Sequence, residues 1–310
     1  MKKQIGLALV IGLIAMSMAP TAIFAADSSE KQISGQLNNY VAPDVTTIAI
    51  TTMENLAENN LDPQTNYKFK VSVTDNNTLV DISTVELKLY VDNTLLPDNR
   101  RNHYSFNFTA PGTWEEIGPD TDERHLVTDN CVAPDNLQQT SGIYVFVVKF
   151  DIVAQPTSSY EWDAWAKATD NNALTDNLTY ENKFNVNNYM SLAVNHSALT
   201  FGGSPGQENV QPTENPTVAT VDTNVIFKIQ CKDNNWTGSL GGTIGADNTK
   251  AAKDASHTGE ITLSSTSYNT LWENVGYGEN VTDNIYWFLN IPSSARDPSY
   301  TTTFYVKATL

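Results

Sequence analysis

The sequence predicts an all-β protein made of two tandem antiparallel β-sandwiches that follow a signal peptide. Apolar and polar residues alternate with a period of two in many short segments. Clusters of Asn, Asp, Gly and Pro separate these segments, as expected for turns. No convincing amphipathic helical pattern accompanies them. Many short strands joined by turns, with little helix, are typical of sandwich architectures.

Residues 1–25 are predicted to be a secretory signal peptide. Lys2 and Lys3 precede an apolar run, and small residues lead to a predicted cleavage after Ala25. The apolar block lies before the cleavage point, so the mature N-terminus has no hydrophobic helix of the kind that type IV pilins use for assembly. Residues 26–45 are predicted to be an N-terminal arm, polar at first, that leads into the β-branched run TTIAITT at 46–52.

The charge of the mature chain limits the classes of partner. Removing two lysines with the signal peptide leaves 16 basic against 35 acidic residues, a net charge of −19. A phosphate backbone would be repelled, so nucleic acid is not an expected partner. No later segment approaches the roughly 20 apolar residues of a membrane helix. The chain is therefore expected to be secreted, to lie outside the cell or at its surface, and to have no membrane span.

Four segments define the predicted first sandwich, residues 46–188. YKFKVSVT places Tyr67, Phe69, Val71 and Val73 on one face, and VELKLY does the same for its apolar residues. GIYVFVVKFDI is nearly continuously apolar and is predicted to be a central strand. SYEWDAWAKA is predicted to place its two tryptophans, Trp162 and Trp165, on opposite faces of one strand.

The predicted second sandwich spans residues 189–310. A Pro-rich stretch, VQPTENPTVATV, delays its first clear strand. The strands predicted after it are VIFKIQC, GEITLSS, NIYWFLNIP and TTTFYVKATL. Alternation in VIFKIQC places Cys231 inward, where we favour a buried free thiol over a disulfide with Cys131.

The heptad DNNTLVD at 75–81 returns as DNNALTD at 170–176, and each copy follows a predicted strand. Asp and Asn in this position are first of all a turn signature. Oxygen side chains at positions one, three and seven also resemble the spacing of a calcium-binding loop. The candidate metal ligands are Asp75, Asn77, Asp81, Asp170, Asn172 and Asp176.

Calcium and a plain pair of turns remain open as interpretations of the heptads. The EF-hand pattern fails because position six is Val80 or Thr175 instead of Gly. Glu86 and Glu181 stand at position twelve, but an extended chain carries Glu86 roughly 16 Å from Asp81. If the two heptads form the B–C and F–G loops of an immunoglobulin-like sandwich, however, they emerge at the same end. No motif requires a cofactor, and calcium is the candidate.

No catalytic constellation is present, and we expect no enzyme. GGSPG at 202–206 matches the nucleophile-elbow pattern, but a proline and a polar stretch replace the required helix. The histidines, at 103, 125, 196 and 257, show no metal spacing and are expected on surfaces or loops. Glu115 and Glu116 are adjacent on a predicted strand and point to opposite faces, so they form no carboxylate pair.

A resemblance emerges from these segments. KVSVTDNNTLVDISTVELKLY, followed by YEWDAWAKATDNNALTDN, resembles immunoglobulin-like domains of secreted archaeal surface proteins, especially those of methanogens. TFGGSPGQENVQP and NIYWFLNIPSSARDPSYTTTFYVKATL are similar to β-sandwich domains of archaeal surface proteins and of some filament-forming matrix proteins. The resemblance implies two immunoglobulin-like sandwiches and a secreted building block of a filament, a sheath or a surface layer (S-layer).

The expected function is therefore that of a structural subunit that polymerises with itself through protein contacts. The absence of a membrane tail favours such contacts over an anchor. The N-terminal arm with TTIAITT is a candidate strand for a neighbouring subunit, and the alternative is that TTIAITT is the first strand of its own sandwich. The main rival function is an adhesin or carbohydrate-binding module that uses exposed tryptophans. Other surface proteins and glycans are its expected partners.

Overall fold

The computed structural model describes residues 41–91, 99–118, 125–157, 161–180 and 182–310. The chain divides into two units, Met1–Asn39 and Tyr40–Leu310, and every described residue belongs to the second unit. The predicted signal peptide, residues 26–40 of the predicted arm and Glu181 lie outside the described residues.

The fold is all-β, as the alternation predicts. The sheets are antiparallel, apart from a short parallel pair in the first half of the chain. Helical structure in the described residues is limited to single 3₁₀ turns at Leu79–Asp81, Thr128–Asn130 and Ala246–Asn248. No helix in the described part of the chain is long and apolar enough to cross a membrane.

The strands of the first sandwich form a three-stranded sheet, β1-β3-β7, a five-stranded sheet, β6-β5-β4-β8-β9, and the parallel pair β2 and β10. Their bounds are β1 (Asp44–Thr51), β2 (Asn60–Leu61), β3 (Asn66–Thr74), β4 (Ile82–Val91), β5 (His103–Thr109), β6 (Thr113–Gly118), β7 (Ser141–Lys149), β8 (Trp162–Asp170), β9 (Thr175–Thr179) and β10 (Asn185–Val186).

The core of the first sandwich lies between its two larger sheets. The predicted inward residues of β3 are all buried there, against Val85, Leu87 and Leu89 of β4. Trp162 is fully buried in this core, where its ring stacks on Tyr104. Trp165 lies on the outer face of β8 beneath the ammonium group of Lys88, as alternation predicts.

The apolar strand β7 is not central, contrary to the prediction. It is the outer strand of its sheet and pairs with β3. Its other edge is covered by the segment 125–132, which forms isolated bridges at Leu126 and Val132. The backbone amide of Val147 donates to the Cys131 thiol there. An irregular covering segment therefore buries Val147 on the outward face, which explains why β7 reads as a strand buried on both sides.

The β-branched run TTIAITT belongs to β1 and pairs antiparallel with β3 of the same sandwich. The idea that this run is donated to a neighbouring subunit is therefore wrong. Val45, Ile48 and Ile50 are buried in the core of their own chain, so donating them would open that core.

The strands of the second sandwich form a five-stranded sheet, β11-β12-β19-β16-β17, a three-stranded sheet, β18-β13-β21, and a small three-stranded sheet, β15-β14-β20. Their bounds are β11 (Met190–Val194), β12 (Thr217–Thr223), β13 (Phe227–Asp233), β14 (Trp236–Gly238), β15 (Thr243–Ile244), β16 (Thr249–Ala252), β17 (Ile261–Thr262), β18 (Asn269–Val275), β19 (Gly278–Leu289), β20 (Tyr300–Thr301) and β21 (Phe304–Thr309).

The second core has its own set of buried residues, including Phe227, Ile229 and Cys231 of β13. The sequence prediction passed over several strands of this sandwich, among them β11, β12, β16 and β18. The inward positions of β12 are Thr217, Ala219, Val221 and Thr223. Threonine and alanine at inward positions weaken the hydrophobic signal, which is why the pattern does not single out this strand.

Candidate functional site

The two heptads meet at one end of the first sandwich, which we call the aspartate pole and define by Asp75, Asp81 and Asp170. Asp170 ends β8 opposite Ile82, the first residue of β4. The backbone amide of Asn171 donates to the carbonyl of Asp81 at 2.8 Å. The heptads therefore form neighbouring loops, as the sandwich topology predicts.

Two carboxylates of the aspartate pole are buried. Asp75 and Asp170 are each only 2% exposed. Each uses Oδ1 to cap its own turn: Asp75 accepts from the amide of Asn77, and Asp170 accepts from the amides of Asn172 and Leu174. Each Oδ2 is buried and has no hydrogen-bond partner among the described residues. Burial raises the pKa of Asp75, and the negative charges of Asp81 and Asp170 raise it further.

The remaining heptad residues do not converge on this pair. The Asn77 amide group contacts Asp81 at 3.5 Å, and both residues lie at the surface of the pole. Asn172 is exposed. Asp176 lies on β9, where its Oδ2 accepts from the backbone amide of Val45 at 2.9 Å. Position seven of the second heptad therefore fixes the start of β1.

The pole supplies two unpaired anionic oxygens. In the described part of the chain, no group of three or more Asp, Glu, His or Cys side chains is arranged to hold a metal ion. Calcium takes six to eight oxygen ligands, so most of its shell would come from carbonyl groups and water. A bound cation or protonation of a carboxylate would neutralise the charge of these buried oxygens. Calcium at this pole stays a prediction.

A buried histidine cluster occupies a different part of the first sandwich and consists of Glu116, His125 and Asp151. His125 Nδ1 lies 2.6 Å from Glu116 Oε1, and Nε2 lies 3.4 Å from Asp151 Oδ2. The ring packs against Tyr104 in a tilted arrangement, with centroids 4.4 Å apart. Burial lowers the pKa of His125, but the hydrogen bonds to both carboxylates outweigh it and raise the pKa to about 9. The cluster therefore holds an imidazolium between two carboxylates at neutral pH.

His125 lies in a loop, as expected, but its side chain is buried instead of facing solvent. Alternation predicted that Glu115 and Glu116 lie on opposite faces of β6. The face of Glu116 is the one that contacts His125. The backbone amide of His125 also donates to Glu116 Oε2 at 2.8 Å. The sequence gives no signal for the cluster, because its members are brought together by strand pairing and a loop.

Arg100 connects the histidine cluster to the second sandwich. Its Nη1 lies 3.6 Å from Asp151 and 3.4 Å from Glu279 of β19. This arginine is partly exposed, whereas Asp151 is buried. The guanidinium group and the nearby imidazolium hold the pKa of Asp151 below its usual value despite its burial. A charged chain of contacts thus runs from the interior of one sandwich to the surface of the other.

Asn224 fastens the two sandwiches together in a region that we call the junction. It is completely buried between them. Its amide nitrogen donates to the carbonyls of Ala154 and Asn187, and its Oδ1 accepts from the amide of Tyr189. One side chain therefore binds the first sandwich, the connecting segment and the second sandwich together.

Arg101 adds a second crossing contact at the junction. Its guanidinium carbon lies 3.2 Å from the centroid of the Tyr277 ring. Its Nε donates to Gln155, and its Nη2 donates to the carbonyl of Asn224. A stacked and hydrogen-bonded arginine restricts rotation between the two sandwiches.

The second sandwich is open along one side, which we call the seam. β11 is the outer strand of the five-stranded sheet and β21 is the outer strand of the three-stranded sheet. Neither has a second ladder partner in the described part of the chain. A groove of about 690 Å³ lies between them, with Leu192, Trp287 and Val306 among its lining residues.

The lining of the seam mixes apolar side chains with polar ones, among them His196, Ser197 and Thr302. Leu192 of β11 and Phe304, Val306 and Ala308 of β21 are only partly buried against the core. Val194 lines the groove and is 41% exposed. No Asp, Glu, Lys or Arg lines it among the described residues. The seam thus combines open strand edges with apolar side chains that face the interior of the sandwich.

Comparisons with known proteins do not assign a family. No protein-family profile and no curated protein matches the chain. Among solved structures it is similar to a 35 kDa C-terminal fragment of the major pilin GBS80 of Streptococcus agalactiae. That similarity covers 86% of this chain and 91% of the other, at 10% identity and a TM-score of 0.24.

The tryptophans offer no open platform for a sugar ring. Trp162, Trp236 and Trp287 are buried, and the other three are half-buried. Trp114 packs against the first core, and lysine ammonium groups lie over Trp165 and Trp272. The tryptophan residues therefore act mainly as core and inner-surface residues.

Proposed function

We propose that this chain is a structural subunit of an extracellular polymer, such as a filament, a sheath or a surface layer, joined by protein–protein contacts. The observation that carries the proposal is the seam. It presents two strand edges and partly buried apolar side chains in an acidic protein. Open edges of this kind are templates for pairing with another chain.

The junction supports the same proposal. A polymer subunit built of two sandwiches has to keep a fixed angle between them if successive subunits are to stack regularly. Asn224 and Arg101 supply that restraint through contacts with both sandwiches and the connecting segment. The resemblance to archaeal, methanogen-type surface proteins and the secreted location belong to this proposal as well.

Negative-stain electron microscopy of the mature protein, residues 26–310, tests the proposal. Regular filaments, tubes or sheets are the expected result. Dispersed particles at every protein concentration, salt concentration and calcium concentration would contradict it. The alternative function, an adhesin or carbohydrate-binding module, has less support because the tryptophans are covered. Glycan-array binding by such dispersed particles would favour that alternative.

A further inference from the structure

We infer that copies of this chain join head to tail, with an acidic end of the first sandwich of one copy seated on a basic patch of the second sandwich of the next copy. The inference rests on the proposed function and names the joint between subunits. The acidic end is the aspartate pole together with Asp44 and Asp135. The basic patch consists of Lys232, Tyr268, Tyr305 and Lys307.

The acidic end is built from segments that contain no Lys or Arg, namely 41–47, 72–84, 107–113, 134–142 and 168–176. Asp44 of β1 pairs with the residue before Asp75. The segment that follows Asp135 accepts a hydrogen bond from the backbone amide of Val80 at 3.0 Å. Asp44 and Asp135 are exposed, and Val80 is 49% exposed. This end therefore offers accessible carboxylates and one apolar side chain.

The basic patch lies on the outer face of the sheet β18-β13-β21. The ammonium nitrogen of Lys232 lies 5.9 Å from the ring centroid of Tyr268 and 5.3 Å from that of Tyr305. The ammonium nitrogen of Lys307 lies 5.5 Å from the centroid of the same Tyr268 ring. Neither ammonium group forms an ion pair within the described part of the chain. The tyrosine rings therefore orient two positive charges that lack a carboxylate partner there.

The neighbours of the basic patch favour an anionic protein surface over a sugar as its partner. Glu273 of β18 lies beside residues 227–229, at the other end of β13. A sugar ring would have to displace the ammonium groups to stack on Tyr268 or Tyr305. The outward positions of β13 and β21 carry no acidic residue and are Lys228, Gln230, Lys232, Tyr305, Lys307 and Thr309.

Both surfaces lie away from the junction. β3 ends at Thr74 beside the acidic end, and its other end pairs with Lys149, near the junction contact of Ala154. β13 begins just after Asn224 of the junction and has Lys232 near its other end. A contact between two different surfaces is heterologous and leaves one of each free on every pair of copies. Such a contact builds an open filament unless it closes into a ring.

Charge complementarity selects a second copy as the occupant of the basic patch. With residues 1–25 removed, the chain has a net charge of −19, so most of its surface repels other copies. Contact between the acidic end and the basic patch brings unlike charges together, whereas two acidic ends or two basic patches would repel each other. Val80 and Tyr268, which is 36% exposed, supply apolar contact area on the two sides.

A charge-swap rescue tests the inference in the full mature protein. A head variant carries Asp44→Lys and Asp135→Lys, and a tail variant carries Lys232→Glu and Lys307→Glu. Each variant alone places like charges at the joint, so polymer mass measured by sedimentation is expected to fall about tenfold or more. An equimolar mixture pairs the altered end of one variant with the altered patch of the other. The mixture is expected to recover about half of the wild-type mass or more.

Matched controls change the net charge by the same amount at other surface positions of the first sandwich. Asp129→Lys with Glu54→Lys controls for the head variant, and Lys88→Glu with Lys149→Glu controls for the tail variant. Both controls are expected to keep the wild-type polymer mass. Calorimetry is expected to show the wild-type unfolding temperature for all four proteins, because every changed side chain lies at the surface. An equal loss of polymer in the controls would show that net charge alone governs assembly and would refute the joint.

Failure of the joint and failure of the proposed function give different results. Normal polymer mass from both variants, or no recovery in their mixture, would refute the joint and leave the proposed function intact. A loss in the tail variant alone would assign the basic patch to another anionic partner, such as an acidic polysaccharide, and would also refute the joint. No polymer from the wild type would refute the proposed function itself, and the inference with it.

Discussion

Asp75 and Asp170 lie at the same end of the first sandwich, and each keeps one buried Oδ2 without a hydrogen-bond partner in the described part of the chain. Their loops are joined by the hydrogen bond from the Asn171 amide to the Asp81 carbonyl. A buried carboxylate beside another negative charge destabilises the folded state unless a proton or a cation neutralises it. The contribution of the aspartate pole to stability is therefore expected to depend on protonation or cation binding at Asp75 and Asp170.

Replacing Asp170 with Asn is expected to stabilise the protein in the presence of a chelator. Asparagine keeps the acceptor that caps Asn172 and Leu174 and removes the negative charge beside Asp75. We expect a gain of about 1 kcal/mol in the free energy of unfolding, measured by urea denaturation. Asp129→Asn, in the 3₁₀ turn after His125, serves as the control.

Calcium is expected to raise the unfolding temperature of the wild type and to have less effect on Asp170→Asn. A bound cation would neutralise both carboxylates and stabilise the folded state by mass action. Differential scanning calorimetry with calcium and with chelator measures this difference. An identical calcium response in both proteins, or none in the wild type, would count against a metal at the pole.

Stability is expected to fall as the pH rises through about 9 because of His125. Its pKa is raised from 6.5 to about 9 in the folded protein, so the folded state binds this proton more tightly than the unfolded state. The resulting stabilisation is fully present below pH 6.5 and is lost as the pH rises through the folded value. A shift of this size corresponds to about 3 kcal/mol.

Urea unfolding at pH 6.5 and at pH 9.5 measures the effect. His125→Gln is expected to be less stable at pH 6.5 and to lose most of the pH dependence in this interval. His196→Gln, which alters a histidine at the seam, is expected to keep the wild-type dependence. A wild-type pH profile retained by His125→Gln would show that other groups cause the change.

Replacing Asn224 with Ala is expected to loosen the junction. The change removes donors to two carbonyls and the acceptor for the Tyr189 amide in a fully buried position. Leaving such groups unpaired costs about 2–4 kcal/mol. Urea denaturation is expected to show the lower stability, and the two sandwiches are expected to unfold in separate steps. Asn188→Ala, at an exposed position of the connecting segment, should change neither result.

Both cysteines are expected to resist thiol reagents in the folded protein. Cys131 and Cys231 are free, and burial raises the pKa of their thiols to about 11 and about 12. The reactive thiolate is therefore scarce at neutral pH. Titration with a thiol reagent should label neither residue before unfolding and both after it. Rapid labelling of either residue under native conditions would contradict this expectation.

The alternation of apolar and polar residues predicts much of the fold, and particular residues show where that prediction fails. Alternation placed the inward faces of β3, β4, β8 and β13, because side-chain direction along a strand depends only on local geometry. It misjudged β7, since burial of Val147 comes from the covering segment 125–132. It passed over β12, where inward threonine and alanine give little contrast.

The candidate sites divide in the same way. The repeated heptads predicted two related turns, and the topology of an immunoglobulin-like sandwich predicted that both turns could lie at the same end. The sequence did not predict the histidine cluster, because Glu116, His125 and Asp151 share no motif and are brought together only by the pairing of β6 and by a loop. The sequence likewise does not distinguish Asn224 from other asparagines in turns. Its role depends on burial between the connecting segment and both sandwiches.

The sequence by itself determined the all-β class, the inward faces of its clearest strands and the acidic charge, because each follows from local periodicity or composition. Only the tertiary structure decided that β1 pairs within its own sandwich and that Asp176 accepts a hydrogen bond from the Val45 amide instead of lying at the aspartate pole. It also decided that β11 and β21 form no ladder with each other in the second sandwich. These features depend on contacts between residues far apart in the chain. Local sequence patterns do not predict such contacts, since they do not show which strand edges will pair with another strand.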